Sequence, residues 1–323
     1  MTETQTLISA DTPVLVTGGS GFIGSHLIER LTEFGAPVTV VDSMAGGHLE
    51  NLQAVRHNVH LILGDLSNVL HLKRVNVGDF AYVFHLAGNP YIPPSVENPA
   101  FDFHENLENA FNLVEAIRLS SSKPRLVHIS SAAVYGNPIR LPISETDPTV
   151  PISPYGVSKL AGERYVAVFS QLYGIRAAIV RFFSVYGPRQ RKQVVFDVLR
   201  KLRDNPNEIT VFGDGTQERD FAYVTDIVDA MLLAATVAPA EGEAYNVAHG
   251  VAYTINDLVR TWCEVLDIQP EIKYTGSVRP GDAEKWGVDM ARIQALGFDP
   301  KVDLKTGLTN IRDWYDATFP TSK

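Results

Sequence analysis

The stretch V-L-V-T-G-G-S-G-F-I-G at residues 14–24 decides the fold class of this chain. A short apolar run suited to a buried strand leads into Gly18, Gly21 and Gly24, and an apolar helical pattern comes next. Glycines at this spacing permit a tight turn, close approach of the backbone to a pyrophosphate and close helix packing, while the helix N-terminus adds positive potential. The segment therefore predicts a strand, turn and helix that bind a dinucleotide.

An acidic residue ends the next apolar run, V-T-V-V-D at residues 38–42. The carboxylate of Asp42 can accept hydrogen bonds from a ribose and would repel a 2′-phosphate, and residues 43–48 contain no Arg or Lys to reverse this. This context favours NAD over NADP and argues against a glycine turn without a ligand. Asp65, after the third run, could bond an adenine amino group or cap a helix, and the spacing leaves both interpretations open.

Strand and helix patterns alternate through the first half of the chain. Apolar runs typical of strands buried on both faces lie at residues 13–17, 38–42, 60–63, 82–86 and 126–130, with helical periodicity at 22–34 and 107–117. This alternation predicts an α/β fold, a doubly wound parallel sheet of Rossmann type.

The pattern breaks from about residue 184 into loops rich in Pro, Gly and Arg, succeeded by helical patterns near 225–235 and 255–266. We therefore expect an NAD-binding domain at residues 1–183 and a smaller α/β substrate lobe at residues 184–323. Segments of the two are expected to interleave.

Bulk composition narrows the function classes. The 323 residues carry a formal net charge of −9 and no dense basic run, which argues against nucleic acid as a partner. The single cysteine, Cys263, cannot form an internal disulfide. The chain shows neither a signal peptide nor an apolar run long enough to span a membrane, so we expect a cytoplasmic protein with no membrane partner.

The segment S-P-Y-G-V-S-K at residues 153–159 places Tyr155 and Lys159 on one face of a helix. A tyrosine is a poor base at neutral pH, but an adjacent ammonium and a positive nicotinamide ring would lower its pKa. Ser131, in S-S-A-A-V-Y-G, can hydrogen-bond a reacting hydroxyl and share its proton. We therefore predict an acid/base site of Ser131, Tyr155 and Lys159; the alternatives are a plain surface helix face and, for Ser131, a strand-end cap.

Taken together, these motifs resemble the extended short-chain dehydrogenase/reductase family of nucleotide-sugar epimerases and dehydratases. The similarity covers nearly the whole chain and also includes H-L-A-G at 85–88, R-F-F-S-V-Y-G-P-R-Q at 181–190, G-D-G-T-Q-E-R-D-F-A-Y-V-T-D at 213–226 and R-P-G-D at 279–282.

The resemblance implies NAD as cofactor, no metal, a catalytic Ser131, Tyr155 and Lys159, and a homodimer built on the helices at 107–117 and 155–172. Residues implied to contact NAD, besides the three glycines, Asp42, Tyr155 and Lys159, are Phe22, Ile23, Asp65, Leu66, Leu86, Ala87 and Gly88. Arg219 and Arg279 match the family's diphosphate-binding arginines, whereas Ser184 and Arg189 match positions near the sugar or nucleotide; a surface charge or structural ion pair is the alternative for the arginines.

Members of this family remove a hydride from sugar C4 and differ in the later steps of the reaction. Similar dehydratases carry Asp-Glu directly after the position of Ser131, and decarboxylating relatives carry a Glu at the second of these positions. Ala132 and Ala133 stand there in this chain and can transfer no proton, which disfavours both reactions. A 4-keto reductase would exchange its cofactor and usually prefer NADPH, which Asp42 disfavours. A 4-epimerase remains.

The substrate end leaves alternatives open. Hexose epimerases that resemble this chain often have Asn at the position of Ser184, whereas uronate epimerases tend to have Thr. UDP-glucose and UDP-galactose are the first choice, with UDP-glucuronate, or a 4-keto-sugar reductase or another nucleotide-sugar epimerase, as alternatives. Trp286 is expected either to limit space around the sugar C2 substituent or to belong to the core. A redox-sensing NAD-binding protein is a further rival, but it would need no catalytic tyrosine.

Overall fold

The computed structural model describes residues 7–276 and 286–320. Its strands, numbered along the chain, are β1 (Val14–Thr17), β2 (Val38–Asp42), β3 (Val59–Leu63), β4 (Tyr82–His85), β5 (Arg125–Ser131), β6 (Ala177–Phe182), β7 (Ser184–Tyr186), β8 (Glu208–Val211), β9 (Glu218–Tyr223), β10 (Glu241–Val247), β11 (Ala252–Thr254) and β12 (Glu271–Tyr274).

The helices are α1 (Phe22–Glu33), α2 (Val69–Leu72), α3 (Ile92–Glu97), α4 (Pro99–Asp102), α5 (Asn109–Leu119), α6 (Pro154–Tyr173), α7 (Val194–Asp204), α8 (Val224–Thr236), α9 (Ile255–Leu266), α10 (Ala291–Gln294) and α11 (Leu304–Thr318). Segments with 3-10 geometry lie at Leu49–Asn58, Val77–Asp79 and Ala132–Tyr135, and one π-helical turn spans Phe103–Glu108. No helix in these described parts is long and apolar enough to cross a membrane.

Seven strands form the main sheet in the order β10-β6-β5-β4-β1-β2-β3, and every pairing is parallel. Helices separate the consecutive strands and cover the sheet, so the predicted Rossmann-type fold is confirmed. One expectation was wrong: β3 is not buried on both faces, and Leu63 is 61% exposed. The reason is its position, because β3 is the outermost strand and pairs only with β2.

Residues after 184 form two smaller sheets, β11-β9-β7 and β12-β8. However, β10 returns to the main sheet, where Val247 pairs with Phe182 of β6. Residues after 184 thus supply the seventh strand of the main sheet, whose other six strands lie before residue 184. The domain boundary at residue 184 stays a prediction.

Helix α6, which carries two of the predicted catalytic residues, has strong local end signals. The Ser153 side chain accepts a hydrogen bond from the Gly156 amide, and Pro154 occupies the first turn, where it costs no hydrogen bond. Gly174 ends the helix with φ +66°, a left-handed conformation that glycine adopts without strain. These signals fix where the helix begins, and hence where Tyr155 lies in its first turn.

Candidate active site

The predicted site residues gather at one edge of the main sheet. Because all seven strands are parallel, the turns after β1, β4, β5 and β6 meet at their carboxyl ends, where open α/β sheets bind ligands. Gly18 comes directly after β1, and Ser131 ends β5 at this edge.

The glycine turn is too tight for side chains. A Cβ on Gly18, which has φ +71°, would lie 2.6 Å from the Ala87 amide nitrogen, and one on Gly24 would lie 2.4 Å from the Gly18 carbonyl oxygen. Gly21 precedes α1 without a side-chain cap. The first backbone amides of this helix therefore have no side-chain cap and can donate hydrogen bonds to an anion, an arrangement that fits a pyrophosphate.

Asp42 lies beside this turn and is only 6% exposed. Its Oδ2 accepts a hydrogen bond from the Ser20 amide at 2.9 Å, and its Oδ1 accepts one from the Met44 amide at 2.8 Å. Each carboxylate oxygen keeps further acceptor capacity, which suits ribose hydroxyls. The position and chemistry of Asp42 therefore fit the adenosine half of NAD.

The structure bears on one of the two interpretations of Asp65, the helix cap, but not on the bond to adenine. Helix α2 is capped by Asn68, not by Asp65, whose Oδ1 instead accepts a hydrogen bond from the Ser67 amide at 2.9 Å. The Leu66 side chain belongs to the core, and its carbonyl accepts a hydrogen bond from Asn112 at 2.9 Å. Contacts of Asp65 and Leu66 with NAD stay predictions.

The loop at residues 86–88 is fixed against the end of β1. The Leu86 amide donates to the Thr17 carbonyl at 3.1 Å, and the Ala87 amide donates to the Thr17 hydroxyl at 3.3 Å. Gly88 has φ +149°, and a Cβ there would lie 2.5 Å from Asn106 Oδ1. The loop thus closes on the glycine turn, while Phe22 and Ile23 open α1 as partly buried residues packed on the core.

Ser131, Tyr155 and Lys159 come together as the spacing predicts. The Ser131 hydroxyl lies close enough to the Tyr155 hydroxyl to lower the pKa of Tyr155. The Ser131 hydroxyl also accepts a hydrogen bond from the Ala133 amide at 3.2 Å, which is the strand-end cap named as its alternative role. Lys159 Nζ lies 5.9 Å from the centre of the Tyr155 ring and donates to the Ile129 carbonyl at 3.3 Å.

Burial sets the protonation of this group. It raises the pKa of Tyr155 to about 12, against the opposing effect of the Ser131 hydroxyl. Burial also lowers the pKa of Lys159 to about 8, against the raising effect of Asp102 and Glu163. The described residues therefore do not lower the tyrosine pKa, because loss of hydration on burial is the largest influence on it.

The helix bearing these residues is tied to β6 by a buried ion pair. Arg181 donates to the two carboxylate oxygens of Glu163 at 2.9 and 2.7 Å, and the two side chains are 5% and 4% exposed. Arg181 also donates to the Tyr135 hydroxyl at 2.7 Å. Since Glu163 lies one helical turn after Lys159, this pair fixes the rotation of α6 beneath the site.

Sequence reasoning missed a buried polar cluster next to the site. Asp102 is fully buried, and its Oδ1 accepts hydrogen bonds from Asn106 at 2.8 Å and Asn89 at 3.1 Å. Asp102, Asn106 and Asn109 continue the face that α5 buries with Leu113. Polar residues at helical spacing along an apolar face were the available signal.

The substrate residues are only partly brought together. Ser184 begins β7 and is half-buried. Arg219 lies in β9, where its Nη1 donates to the Glu218 carbonyl at 2.7 Å. Arg189 donates to the Ser25 hydroxyl at 3.1 Å and pairs with Glu29, so the structure places it in an ion pair against α1.

Arg279 lies outside the described residues, so its pairing with Arg219 around a diphosphate stays a prediction. The Trp286 ring packs edge-on against Phe183 with centroids 5.7 Å apart, and both partly buried rings pack against a small buried cluster that includes Ala132 and Ile143. Trp286 thus lies against a core cluster that contains Ala132, the neighbour of Ser131.

Comparison with known proteins agrees with this geometry. A family model described as the NAD dependent epimerase/dehydratase family matches residues 14–248. Among solved structures, UDP-glucose 4-epimerase of Thermotoga maritima with UDP-glucose is 34% identical, with TM-score 0.88, over 95% of this chain and 99% of that chain.

Two further similar structures are of epimerases that are named for other sugars. UDP-N-acetylglucosamine 4-epimerase of Methanobrevibacter ruminantium, in complex with UDP-N-acetylmuramic acid, is 31% identical, with TM-score 0.88, over 96% of this chain and 99% of that chain. UDP-glucuronic acid 4-epimerase of Bacillus cereus, in complex with UDP-glucuronic acid and NAD, is 29% identical, with TM-score 0.86, over 95% of this chain and 100% of that chain. From the family match and the geometry of the cofactor turn and the Ser131, Tyr155 and Lys159 group, we conclude that this chain belongs to the NAD dependent epimerase/dehydratase family.

Proposed function

We propose that this protein is an NAD-dependent 4-epimerase of a UDP-sugar, with UDP-glucose and UDP-galactose as its pair of substrate and product. The observation that carries the proposal is the grouping of Ser131, Tyr155 and Lys159, with two alanines directly after Ser131. The similar UDP-sugar 4-epimerases of solved structure support it.

The residues of the chain and the bound cofactor divide the chemistry between them. NAD, when bound, would supply a reversible hydride acceptor for sugar C4, so that hydride could return to the other face of the flat 4-keto sugar and no cofactor would be consumed. Tyr155 takes the C4 hydroxyl proton and gives it back, and Ser131 holds that hydroxyl by a hydrogen bond. Lys159 supplies positive charge beside a tyrosine whose pKa burial raises to about 12. The glycines of the turn after β1 would hold the pyrophosphate of NAD.

Other outcomes on the same scaffold have less support. Elimination of water across C5 and C6 needs an additional acid and base, and the residues after Ser131 offer only the methyl groups of Ala132 and Ala133. A reductase using NADPH would need room for a 2′-phosphate next to the buried Asp42 carboxylate. Reversible epimerisation needs neither the additional acid and base nor room for a 2′-phosphate.

The sugar is the finer part of the proposal. Ser184 offers a small hydroxyl at a position where the family's uronate epimerases tend to have Thr, so UDP-glucuronate is the alternative substrate. Arg189 contributes little to this choice, because Glu29 already compensates its charge. Trp286 and Phe183 narrow the space near Ala132, which argues against N-acetyl sugars.

We also propose a homodimer formed by α5 and α6. The outer face of α6 exposes apolar and aromatic side chains, and Phe111 of α5 packs edge-on against Tyr165 at 5.1 Å. These exposed residues are Tyr165, Val168, Leu172 and Tyr173, at 43%, 45%, 69% and 40% exposure. A contiguous apolar face of this kind is typical of a protein interface. Sedimentation of the intact protein would test it.

The enzyme proposal is tested by incubating the purified protein, without added cofactor, with UDP-glucose, UDP-glucuronate and UDP-N-acetylglucosamine separately. Anomeric proton signals observed by NMR would reveal the C4 epimer, with no net NADH formed. We expect conversion of UDP-glucose first. Conversion of UDP-glucuronate alone would make UDP-glucuronate the substrate in place of UDP-glucose, while the proposed 4-epimerisation would stand.

The matched control is Tyr155→Phe, which removes one hydroxyl from a buried ring. We expect it to abolish turnover while NAD stays bound, because Tyr155 is the proposed acid/base. Turnover by this variant would remove Tyr155 from the mechanism. No change in any sugar, even with NAD supplied, would overturn the epimerase proposal.

A further inference from the structure

The loop at residues 187–193, which joins β7 to α7, contains two residues in unfavourable backbone conformations. Arg189 has φ +72°, and Gln193 has φ +74° with ψ 169°, a combination that residues other than glycine rarely adopt. Such conformations persist only where surrounding contacts hold them, and they are frequent at ligand clamps. The contacts of this loop therefore indicate what it does.

One side of the loop is fixed to helix α1. Arg189 donates to the Ser25 hydroxyl at 3.1 Å and forms an ion pair with Glu29. His26 Nε2 lies 3.0 Å from the Pro188 carbonyl oxygen, and since a carbonyl only accepts, this nitrogen is the donor. The Arg189 and Glu29 side chains are 18% and 25% exposed, so solvent screens their attraction less than that of a surface pair.

The contacts of the loop share one face of α1, at the end of the helix that begins from the glycine turn. The contacted residues are Phe22, Ser25, His26 and Glu29. Positions i, i+3, i+4 and i+7 lie on the same side of a helix. A Cβ on Gly187 would lie 3.5 Å from the Phe22 ring, so the chain enters the loop beside the first turn of α1. The loop thus lies along the part of α1 whose amides would hold a pyrophosphate.

The other side of the loop reaches the segment after β4. Lys192 Nζ lies 4.6 Å from the centre of the Tyr91 ring, a distance suited to a cation–π contact. Asn89 fixes Tyr91, because it accepts from the Tyr91 amide at 3.2 Å and donates to the Tyr91 carbonyl at 2.8 Å. Residues 86–88, directly before this segment, close on the glycine turn. The 187–193 loop therefore extends between two elements that border the same turn.

Packing of the helices on each other has a separate ion pair. Helices α1 and α8 are in contact, and Arg30 of α1 donates to Asp229 of α8 at 2.7 Å. The ion pair of Arg189 with Glu29 connects α1 to a loop instead of to another helix. It therefore constrains the position of the loop more than the packing of the helices.

We propose that the 187–193 loop is a gate for NAD, locked on α1 by the ion pair of Arg189 with Glu29. Both are positioning residues, because they hold the loop and not the reacting atoms. The inference deepens the proposed function, since an enzyme that returns the hydride to the same sugar must keep its NAD through every turnover. The locking contacts join protein groups to each other, so closure slows the entry and the exit of NAD alike.

The test is the rate at which bound NAD exchanges for isotopically labelled NAD, measured by mass spectrometry of the cofactor released on denaturation. Glu29→Gln removes the charge that holds Arg189 and leaves Arg189 itself unaltered. We expect exchange about tenfold faster than in the wild-type protein, because a hydrogen bond between charged groups favours the closed loop by about that factor. The equilibrium affinity for NAD, measured by dialysis, should stay at the wild-type value, because a gate changes both rates equally.

Asp229→Asn is the matched control, since it removes a carboxylate that pairs with the same helix but does not contact the loop. Its NAD exchange should proceed at the wild-type rate. Arg189→Gln should accelerate exchange as much as Glu29→Gln does, and the double variant should be no faster than either, because each change removes the same contact.

Amide hydrogen exchange locates the effect within the chain. In Glu29→Gln the amides of residues 187–193 should exchange faster, while those of β1 and β2 should be unchanged, because only the loop opens. General destabilisation would instead accelerate exchange in the strands as well, and this result would count against a gate.

Two results of the NAD measurements refute the proposal. One is a wild-type rate of NAD exchange in Glu29→Gln, which would leave the ion pair with no part in retention. The other is faster exchange with an equally weakened affinity, which would indicate damage to the NAD site itself. None of these measurements uses a sugar, so their failure is distinct from failure of the epimerase proposal.

Discussion

Substitution of Glu163 by Gln tests the buried ion pair that fixes α6 beneath the site. The change removes the charge that compensates Arg181, while the guanidinium stays charged because it does not lose its proton in proteins. Both side chains are about 5% exposed or less, and two hydrogen bonds of 2.9 and 2.7 Å join them. Breaking such a pair from one side costs about 3–5 kcal/mol of unfolding free energy.

The assay is urea unfolding at a fixed NAD concentration, because bound NAD would otherwise change the apparent stability. Fluorescence and circular dichroism are recorded together, since a chain of this size need not unfold in one transition. Glu264→Gln is the matched control, because Glu264 forms an exposed pair with Lys305, and it should leave the midpoint unchanged.

The double substitution Glu163→Leu with Arg181→Met separates the lost charge from the lost contact. Replacing both charges by apolar side chains removes the uncompensated guanidinium and should recover most of the lost stability. If Glu163→Gln unfolds at the same urea concentration as the wild-type protein, the assignment of this pair as a buried, stabilising contact is refuted.

Two further predictions concern the cofactor turn and the pH dependence. Gly24→Ala should strongly reduce the NAD retained on purification, because the new Cβ would lie 2.4 Å from the Gly18 carbonyl oxygen, whereas Gly46→Ala, with open space around it, should retain NAD as the wild-type protein does. For turnover, kcat/KM should fall as the pH rises through about 8, because Lys159 then loses its proton; a profile that stays level to pH 10 would contradict this assignment.

Much of the fold could be read locally. The five strands predicted in the first half match β1 to β5 closely, and the helix patterns near 225–235 and 255–266 match α8 and α9. Burial on both faces, turn glycines and i,i+4 spacing act over a few residues, so they leave a signal in a single sequence. For the same reason the Tyr155 and Lys159 pair was recognisable from its spacing.

The features that only the tertiary structure decided depend on residues distant along the chain. The family resemblance placed Arg189 near the sugar or nucleotide, with an ion pair as the alternative, and folding places it against Glu29 of α1. Likewise β10 reaches the main sheet through long-range pairing with β6. No local period encodes which distant strand or charge becomes a neighbour, because that depends on the packing of the whole chain.

The chemistry of the site shows the same division. The sequence by itself determined which side chains could carry a proton: Ser131, Tyr155 and Lys159, with no acid or base at Ala132 and Ala133. Only the folded chain decided their ionisation, because a pKa depends on hydration and on charges brought close in space. Burial raises the pKa of Tyr155 to about 12, and Asp102, which no motif named, lies within electrostatic reach.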